Sequence, residues 1–349
     1  MEVNIKDLLY IYEHEVSRNT KNKNKVYNFE RYKMLNIINI KRLIESGNFH
    51  IDRYNIFYIY EPKLRIIMSL DIGNRIVDHY IAKHILIPTL DKYLDIRNIA
   101  SRKNMGMSYG IKLVKKYLEL NKKYDKLYAL KLDISKYFYN IDHEILKSML
   151  YDILDYEEYK LIASFIDSTD REYVNIEINN IKNQLLTQTK NKKQIKEILE
   201  IPFYNYGKGL TIGNVCSQIL SIFALSRIDF YIINSLHCKY MIRYCDDIVI
   251  FNHDKKVLEE VYKKVELELE KYKLKLNKKK CSIVNVKDGF IFCGNYIKLD
   301  NKKTIIKRSS ASRNKIRKNI IKREKMYKKG IISYRKYFCS INSYKSTVK

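Results

Sequence analysis

The stretch Tyr240-Met241-Ile242-Arg243-Tyr244-Cys245-Asp246-Asp247-Ile248-Val249-Ile250-Phe251 carries most of the information in this chain. Its flanks have strand character, yet two adjacent carboxylates interrupt them. Asp246 and Asp247 repel each other and lose hydration when buried, unless a cation compensates them. A tight hairpin turn is one reading, because Asp is a common turn residue. A cation site is the other. A second acid, Asp133, lies 113 residues upstream of Asp246 and closes another strand-like run, Leu127-Tyr128-Ala129-Leu130-Lys131-Leu132. Two strand-borne carboxylate sites suit a hard divalent cation such as Mg²⁺, which takes oxygen ligands and retains waters and substrate phosphates.

Composition narrows the partners. The chain has 349 residues, roughly two to three domains at ~150 residues each. Apolar residues make up 46%, which argues against a disordered chain, and three prolines with ten glycines exclude a collagen-like one. The formal net charge of +28 favours a polyanionic partner, nucleic acid above all. Half of that charge falls in residues 302–336, where fifteen Lys or Arg accompany one acid, Glu324. Charge this dense and single-signed points to nucleic-acid contact. Ile305, Ile306, Ile316, Ile320, Ile321, Met326 and Tyr327 interleave with it, so basic helices with an apolar stripe are expected there. No run of about 18 apolar residues is apparent, so no membrane partner is expected. The start, Met1-Glu2-Val3-Asn4-Ile5-Lys6, is unlike a secretory signal, and the six cysteines form no CxxC pair. Both suggest reduced thiols and a cytoplasmic location.

Along the chain, residues 1–50 read as helical, Tyr54 to Met68 as a strand pair around Glu61-Pro62-Lys63, and 71–120 as mostly helical. Ile145 to Phe165 reads as helix. The polar segment 168–200 is either a mobile excursion or a helical insertion. Gly207, Gly209 and Gly213 precede an apolar run of helix length, Val215 to Ile233. Val257 to Lys273 is an amphipathic helix, and Phe290 to Ile297 a strand.

Three motifs in order resemble those of the reverse transcriptases. Tyr244-Cys245-Asp246-Asp247 matches their YxDD signature. Lys131-Leu132-Asp133-Ile134-Ser135-Lys136-Tyr137-Phe138, running on to Ile141-Asp142-His143, resembles the first carboxylate motif of the bacterial, group II intron-like branch. Gly209-Leu210-Thr211-Ile212-Gly213-Asn214-Val215-Cys216-Ser217-Gln218 resembles that branch's GLPIGNxxSQ motif, with Thr211 where proline is usual. Further similarities are Lys63-Leu64-Arg65-Ile66-Ile67 (fingers), Asp71-Ile72-Gly73-Asn74-Arg75-Ile76-Val77 (DRxV), Leu276-Asn277-Lys278-Lys279-Lys280, and the primer-gripping Phe292-Cys293-Gly294-Asn295-Tyr296. Together they cover about residues 55–300.

The resemblance implies an α+β right-hand polymerase: fingers at 1–125, palm at 126–150, a fingers/palm insertion at 151–205, palm at 206–300, and a basic helical thumb at 301–349. It implies an RNA-directed DNA polymerase. Asp133, Asp246 and Asp247 would bind Mg²⁺, with Mn²⁺ as an alternative, and Asp247 would be the weakest ligand. Lys280 is the implied general acid, with Lys278 and Lys279 as competitors. Lys63 and Arg65 would contact the triphosphate, Phe138 would act as a steric gate against the ribose 2′-hydroxyl, and Gln218 would support the base or the template. His143 reads as structural. The implied partners are dNTPs, an RNA template or non-coding RNA, the DNA product, and a protein partner or second copy.

Within the family, the chain carries no evident maturase or endonuclease extension and no clear NAxxH or VTG element. It therefore resembles most the enzymes of diversity-generating retroelements and the unknown-group enzymes, many of which act in antiphage defence. The segment Ser340-Ile341-Asn342-Ser343-Tyr344 is similar to the thumb end of those enzymes. A defence role with a non-coding RNA template is the expectation. A retroelement role, untemplated or protein-primed synthesis, and an inactive nucleic-acid-binding scaffold are the alternatives.

Overall fold

The computed structural model of the chain describes residues 2–60 and 63–346. Its centre is a four-stranded antiparallel sheet built from β3 (Tyr128–Asp133), β4 (Met241–Tyr244), β5 (Asp247–Asn252) and β6 (Ser282–Asn285), in the order β4-β5-β3-β6. The sheet is covered on both faces. Leu130, Leu132, Ile248, Ile250 and Met241 enter one apolar core, while Ala129, Val249, Phe251 and Ile242 enter a second. Successive strand residues point to opposite faces, so a sheet buried on both sides reads as a continuous apolar run. That explains why Ile248-Val249-Ile250-Phe251 does not alternate. The first core is lined by Leu258, Val261, Val265 and Leu269 of helix Lys255–Lys271; the second by Val114, Tyr117 and Leu118 of helix Met107–Asn121.

Two smaller sheets flank this one. The hairpin of β1 (Asn55–Ile59) and β2 (Arg65–Ser69) bears out the strand pair expected before residue 70; Glu61 and Pro62 of its connection lie outside the described residues. A three-stranded antiparallel sheet follows, with β7 (Phe290–Phe292), β8 (Asn295–Asp300) and β9 (Lys303–Arg308).

Several sequence expectations need correction. Phe290 to Ile297 is not one strand but two, folded at Cys293-Gly294, whose φ of +46° and +71° are those of a two-residue hairpin turn. Ile305 and Ile306 lie on β9 rather than a helix, because β9 completes the sheet beside β8; the basic helix begins only at Ser310. The expected helix from Ile145 to Phe165 is two, His143–Tyr151 and Tyr156–Ile166, the second started by an Asp155–Glu158 capping box. Segment 168–200 is a helical insertion: a 3₁₀ turn (Asp167–Asp170) and helices Glu172–Thr187 and Lys192–Leu199. The helical stretch Val215–Ser235 is long and apolar enough to cross a membrane by length and composition, contrary to the sequence reading. It is 72% buried within the protein, where it serves as a core helix. The six cysteines are unpaired.

One buried acid fastens the N-terminal helices to that core helix. Asp78 sits in helix Ile72–Ile81 at 2% exposure. Its carboxylate accepts hydrogen bonds from the backbone N–H of Val215 and of Cys216, both at 2.9 Å. These are orphan donors at the first turn of helix Val215–Ala224, whose own N-cap residue, Asn214, makes no side-chain cap. A carboxylate placed there is also favoured by the helix dipole. Replacing Asp78 with Ala should lower unfolding stability by about 2–4 kcal/mol, since one buried and one partly buried N–H group lose a charged acceptor. Urea denaturation reads this as a lower midpoint at unchanged slope; a loss under about 0.5 kcal/mol would contradict the cap.

Candidate active site

The carboxylates lie at one end of the central sheet because strand register puts them there. Asp133, the last residue of β3, is directly opposite Asp247, the first of β5. Tyr244 and Asp247 are also paired, so Cys245-Asp246 form a two-residue hairpin turn. The hairpin and cation readings of this motif are therefore compatible: the turn is real, and it carries Asp246 beside the sheet-borne Asp133 and Asp247.

The turn is held from below by a buried ion pair. Arg243 is fully buried, and its guanidinium binds Asp229 through Nε (2.7 Å) and Nη2 (2.5 Å). The remaining donors reach the carbonyls of Cys245 and Ile222, each at 2.8 Å. Cys245 has φ +54°, a left-handed conformation that costs a non-glycine residue about 1–3 kcal/mol. The bond from Arg243 to its carbonyl stabilises that conformation. Burial works against the Arg243 charge, and the Asp229 carboxylate outweighs it, so the guanidinium stays protonated.

Electrostatics at the acids run the other way. Burial pushes the Asp246 carboxyl up, with Asp133 adding to the effect. Asp247 is pushed up to about 6 by burial, with Lys131 opposing and Asp246 and Asp133 reinforcing. Such a cluster attracts cations. Lys280 supplies one: its Nζ lies 2.7 Å from both oxygens of Asp133. The segment carrying it is fixed to the end of β3, with Asn277 N–H donating to the Asp133 carbonyl (2.7 Å) and Ser135 N–H to that of Lys275 (2.8 Å). Lys278, one competitor, instead pairs with Glu266 at 3.1 Å. The three carboxylates are oxygen donors of the kind that a hard divalent ion takes.

Asp246 and Asp247 line a cavity of about 680 Å³ together with Lys63, Arg65, Phe138, Tyr139 and Ile212. Five of the eight residues singled out from sequence thus share one cavity, and Asp133 with Lys280 adjoin it through Asp247. Lys63 and Arg65 are exposed and make no salt bridge among the described residues. Phe138 is half-buried, its ring edge-on to Tyr137 at 5.8 Å. Gln218 is not in this cavity; it is exposed, with Ser101 Oγ 3.4 Å from its Oε1. Sequence reading missed Glu197 and Glu200, which also line the cavity, and no motif marks them. It also missed the Arg243–Asp229 pair, although an Arg within an apolar strand run was a usable signal.

The glycine motif reaches the cavity through Ile212 and is bonded to the backbone of its Phe138 wall. Leu210 N–H donates to the Phe138 carbonyl and Gly209 N–H to that of Ile141, both at 2.7 Å, while Met68 N–H of β2 donates to the Ile212 carbonyl at 3.0 Å. Gly209 has φ +94°, and a Cβ there would come within 2.6 Å of the Tyr204 ring. Thr211, standing where proline is usual, is buried and shares its hydroxyl with Ser217 Oγ (2.7 Å) and Asn214 Nδ2 (2.6 Å).

A family model described as reverse transcriptase (RNA-dependent DNA polymerase) matches residues 61–297, about two thirds of the chain. The chain belongs to the reverse transcriptase family. Solved structures match as well. One is telomerase from Candida albicans in complex with a TWJ fragment of telomeric RNA, at 16% identity and a TM-score of 0.48. That match covers 77% of this chain and 47% of the telomerase chain, so the protein spans about half the length of that relative. No curated protein sequence matches. As a reverse transcriptase fold, the architecture is the mixed α+β one expected, with helices around antiparallel sheets.

Breaking one half of the buried pair should be severe. Arg243→Met should destabilise this reverse transcriptase by about 3–5 kcal/mol, because Asp229 is left as an uncompensated buried charge. The double variant Arg243→Met/Asp229→Asn should recover part of that loss. Equal stability of the single and double variants in chemical denaturation would show the two side chains to be uncoupled.

Proposed function

We propose that this chain is an RNA-directed DNA polymerase that adds dNTPs to a primer 3′ hydroxyl. The observation that carries the reading is the register pairing of Asp133 with Asp247 at the mouth of a cavity that also holds Asp246, Lys63, Arg65 and Phe138. Asp133, Asp246 and Asp247 would hold divalent ions, Mg²⁺ with Mn²⁺ as an alternative, which supply charge stabilisation at the attacking hydroxyl and the leaving pyrophosphate. Lys63 and Arg65 bind triphosphate oxygens, Arg65 through its planar fork. Phe138 fills the space a ribose 2′-hydroxyl would need. Lys280, already at the carboxylates, carries the proton that neutralises the departing pyrophosphate. Gln218, outside the cavity, is assigned to the template rather than to the nucleotide.

The proposed division is fingers at 1–125, palm at 126–150 and 206–300, an insertion at 151–205, and a thumb from 301. Helix Ser310–Lys328 buries none of its residues and carries eight Lys or Arg, which suits the phosphates of an RNA–DNA duplex. We extend the reading to a cytoplasmic enzyme of bacterial antiphage defence copying a dedicated non-coding RNA. That extension is supported by the motif resemblance, the basic helices and the helical insertion.

Two experiments test this. The purified protein, given Mg²⁺ and dNTPs with or without RNase pretreatment, should make DNA whose sequence copies a co-purified RNA. RNase and Asp246→Asn should each abolish it. A repetitive product that survives RNase but not Asp246→Asn would replace the templated reading with untemplated or protein-primed synthesis. Absence of product, with and without added RNA and primer, would favour the scaffold reading. Separately, Phe138→Val should raise ribonucleotide incorporation by at least about tenfold, the worth of ~1.4 kcal/mol of lost discrimination. Unchanged sugar selectivity would remove the gate assignment.

A further inference from the structure

Away from the aspartates, a second group of ligand-type side chains meets below the glycine motif. His143 opens helix His143–Tyr151, and its side chain is 1% exposed. Its Nε2 is 2.7 Å from the Gly209 carbonyl oxygen. A carbonyl can only accept, so Nε2 carries the hydrogen, and in the neutral ring Nδ1 is the nitrogen with the free lone pair. Nδ1 is buried and has no hydrogen-bond partner. Two carboxylate oxygens flank it, Asp167 Oδ1 at 3.2 Å and Asp170 Oδ2 at 3.5 Å. Among the described residues this is the one set of three His, Cys, Asp or Glu ligand atoms that all lie within 4.8 Å of one another.

Lys147 Nζ, 3.2 Å from Asp167 Oδ1, compensates one of these three lone pairs, whereas the buried His143 Nδ1 and the neighbouring Asp170 Oδ2 call for a positive charge between them. A proton on Nδ1 is the simplest, yet the nitrogen lies between two oxygens without an aligned hydrogen bond to either. A shared cation accounts for that arrangement. Bonds of about 2.0–2.1 Å in a tetrahedral site separate neighbouring ligand atoms by roughly 3.3 Å, close to both spacings here. The carboxylates are themselves oriented, as metal ligands are: the other Asp170 oxygen accepts from Gly207 N–H (2.9 Å), and Lys147 Nζ lies 3.2 Å from Asp167. Asp167 is 44% exposed, which gives an ion a way in. One imidazole with two carboxylates selects a borderline transition ion over Mg²⁺.

We propose that His143 Nδ1, Asp167 and Asp170 bind a zinc-type divalent ion, distinct from the ions of the aspartate cluster. The ion would tie together three segments: the helix after β3, the 3₁₀ turn that opens the insertion, and the Gly207–Gly209 loop. Because Leu210 N–H bonds to the Phe138 carbonyl, this tie would support the Phe138 side of the cavity, and its role is structural.

The test uses the full chain in excess Mg²⁺, which occupies hard carboxylate sites. After equilibration with Zn²⁺ and dialysis, elemental analysis should find about one zinc per chain. Asp170→Asn and Asp167→Asn should each weaken zinc binding at least about tenfold, with circular dichroism reporting an intact fold. Asp246→Asn should retain the zinc. Should the first two variants not fold, Co²⁺ added to the unaltered chain in excess Mg²⁺ should give the visible bands of a four-coordinate ion with a nitrogen ligand. Zinc content unchanged by Asp170→Asn, or no such bands, would overturn the proposal and leave a protonated His143 as the charge between the carboxylates.

Discussion

The candidate site depends on one buried cation. Arg243 lies in a strand whose other residues face apolar cores, and it is paired there with Asp229 of the core helix. Isolated, either charge would be costly to bury; together, with two backbone carbonyls as further acceptors, each nitrogen of the guanidinium donates to an oxygen. The geometric consequence matters more than any net stability. The guanidinium joins the core helix to the carbonyl of Cys245, the residue in the strained conformation that turns the chain between β4 and β5. Asp246 and Asp247 are presented where they are because that turn is fixed from inside.

A second constraint is the way the glycine motif joins separate parts of the chain. Its backbone bonds reach Phe138 and Ile141 on one side and Met68 of the β1–β2 hairpin on the other. Asp78 caps the helix that follows it. Residues distant in sequence, Lys63 and Arg65 on the hairpin and Asp246 on the turn, thus border one cavity. Gly209 is needed at the closest approach, where its positive φ and the Tyr204 ring leave no room for a side chain.

Much of this was legible beforehand. The aspartates at strand ends, the basic C-terminal region, the hairpin before residue 70 and the long apolar helix all follow from local pattern. Periodicity misled where sheet partners decide the outcome. Ile305 and Ile306 fit a helical stripe, but β8 offers an open edge and β9 takes it. Phe290 to Ile297 looked like one strand because two positive-φ residues, Cys293 and Gly294, leave little mark on hydropathy. Gln218 belonged to a recognised motif, yet it faces away from the cavity because the helix carrying it points its buried face, with Cys216, Ile219 and Leu220, into the core.

The sequence by itself determined the chemistry: which carboxylates, which cations and which aromatic ring are available, in what order, and in a chain basic enough to hold nucleic acid. Side-chain type and spacing are local properties, and local pattern reports them. Only the tertiary structure decided which of these groups meet. The register of β3 against β5 sets Asp133 opposite Asp247, the burial of Arg243 sets the turn, and the choice of Lys280 over Lys278 rests on which lysine the segment after helix Lys255–Lys271 directs at β3. The convergence of His143 with Asp167 and Asp170 had no sequence signature, because those residues are brought together by the packing of the 3₁₀ turn Asp167–Asp170 against helix His143–Tyr151, a tertiary contact that no periodicity encodes.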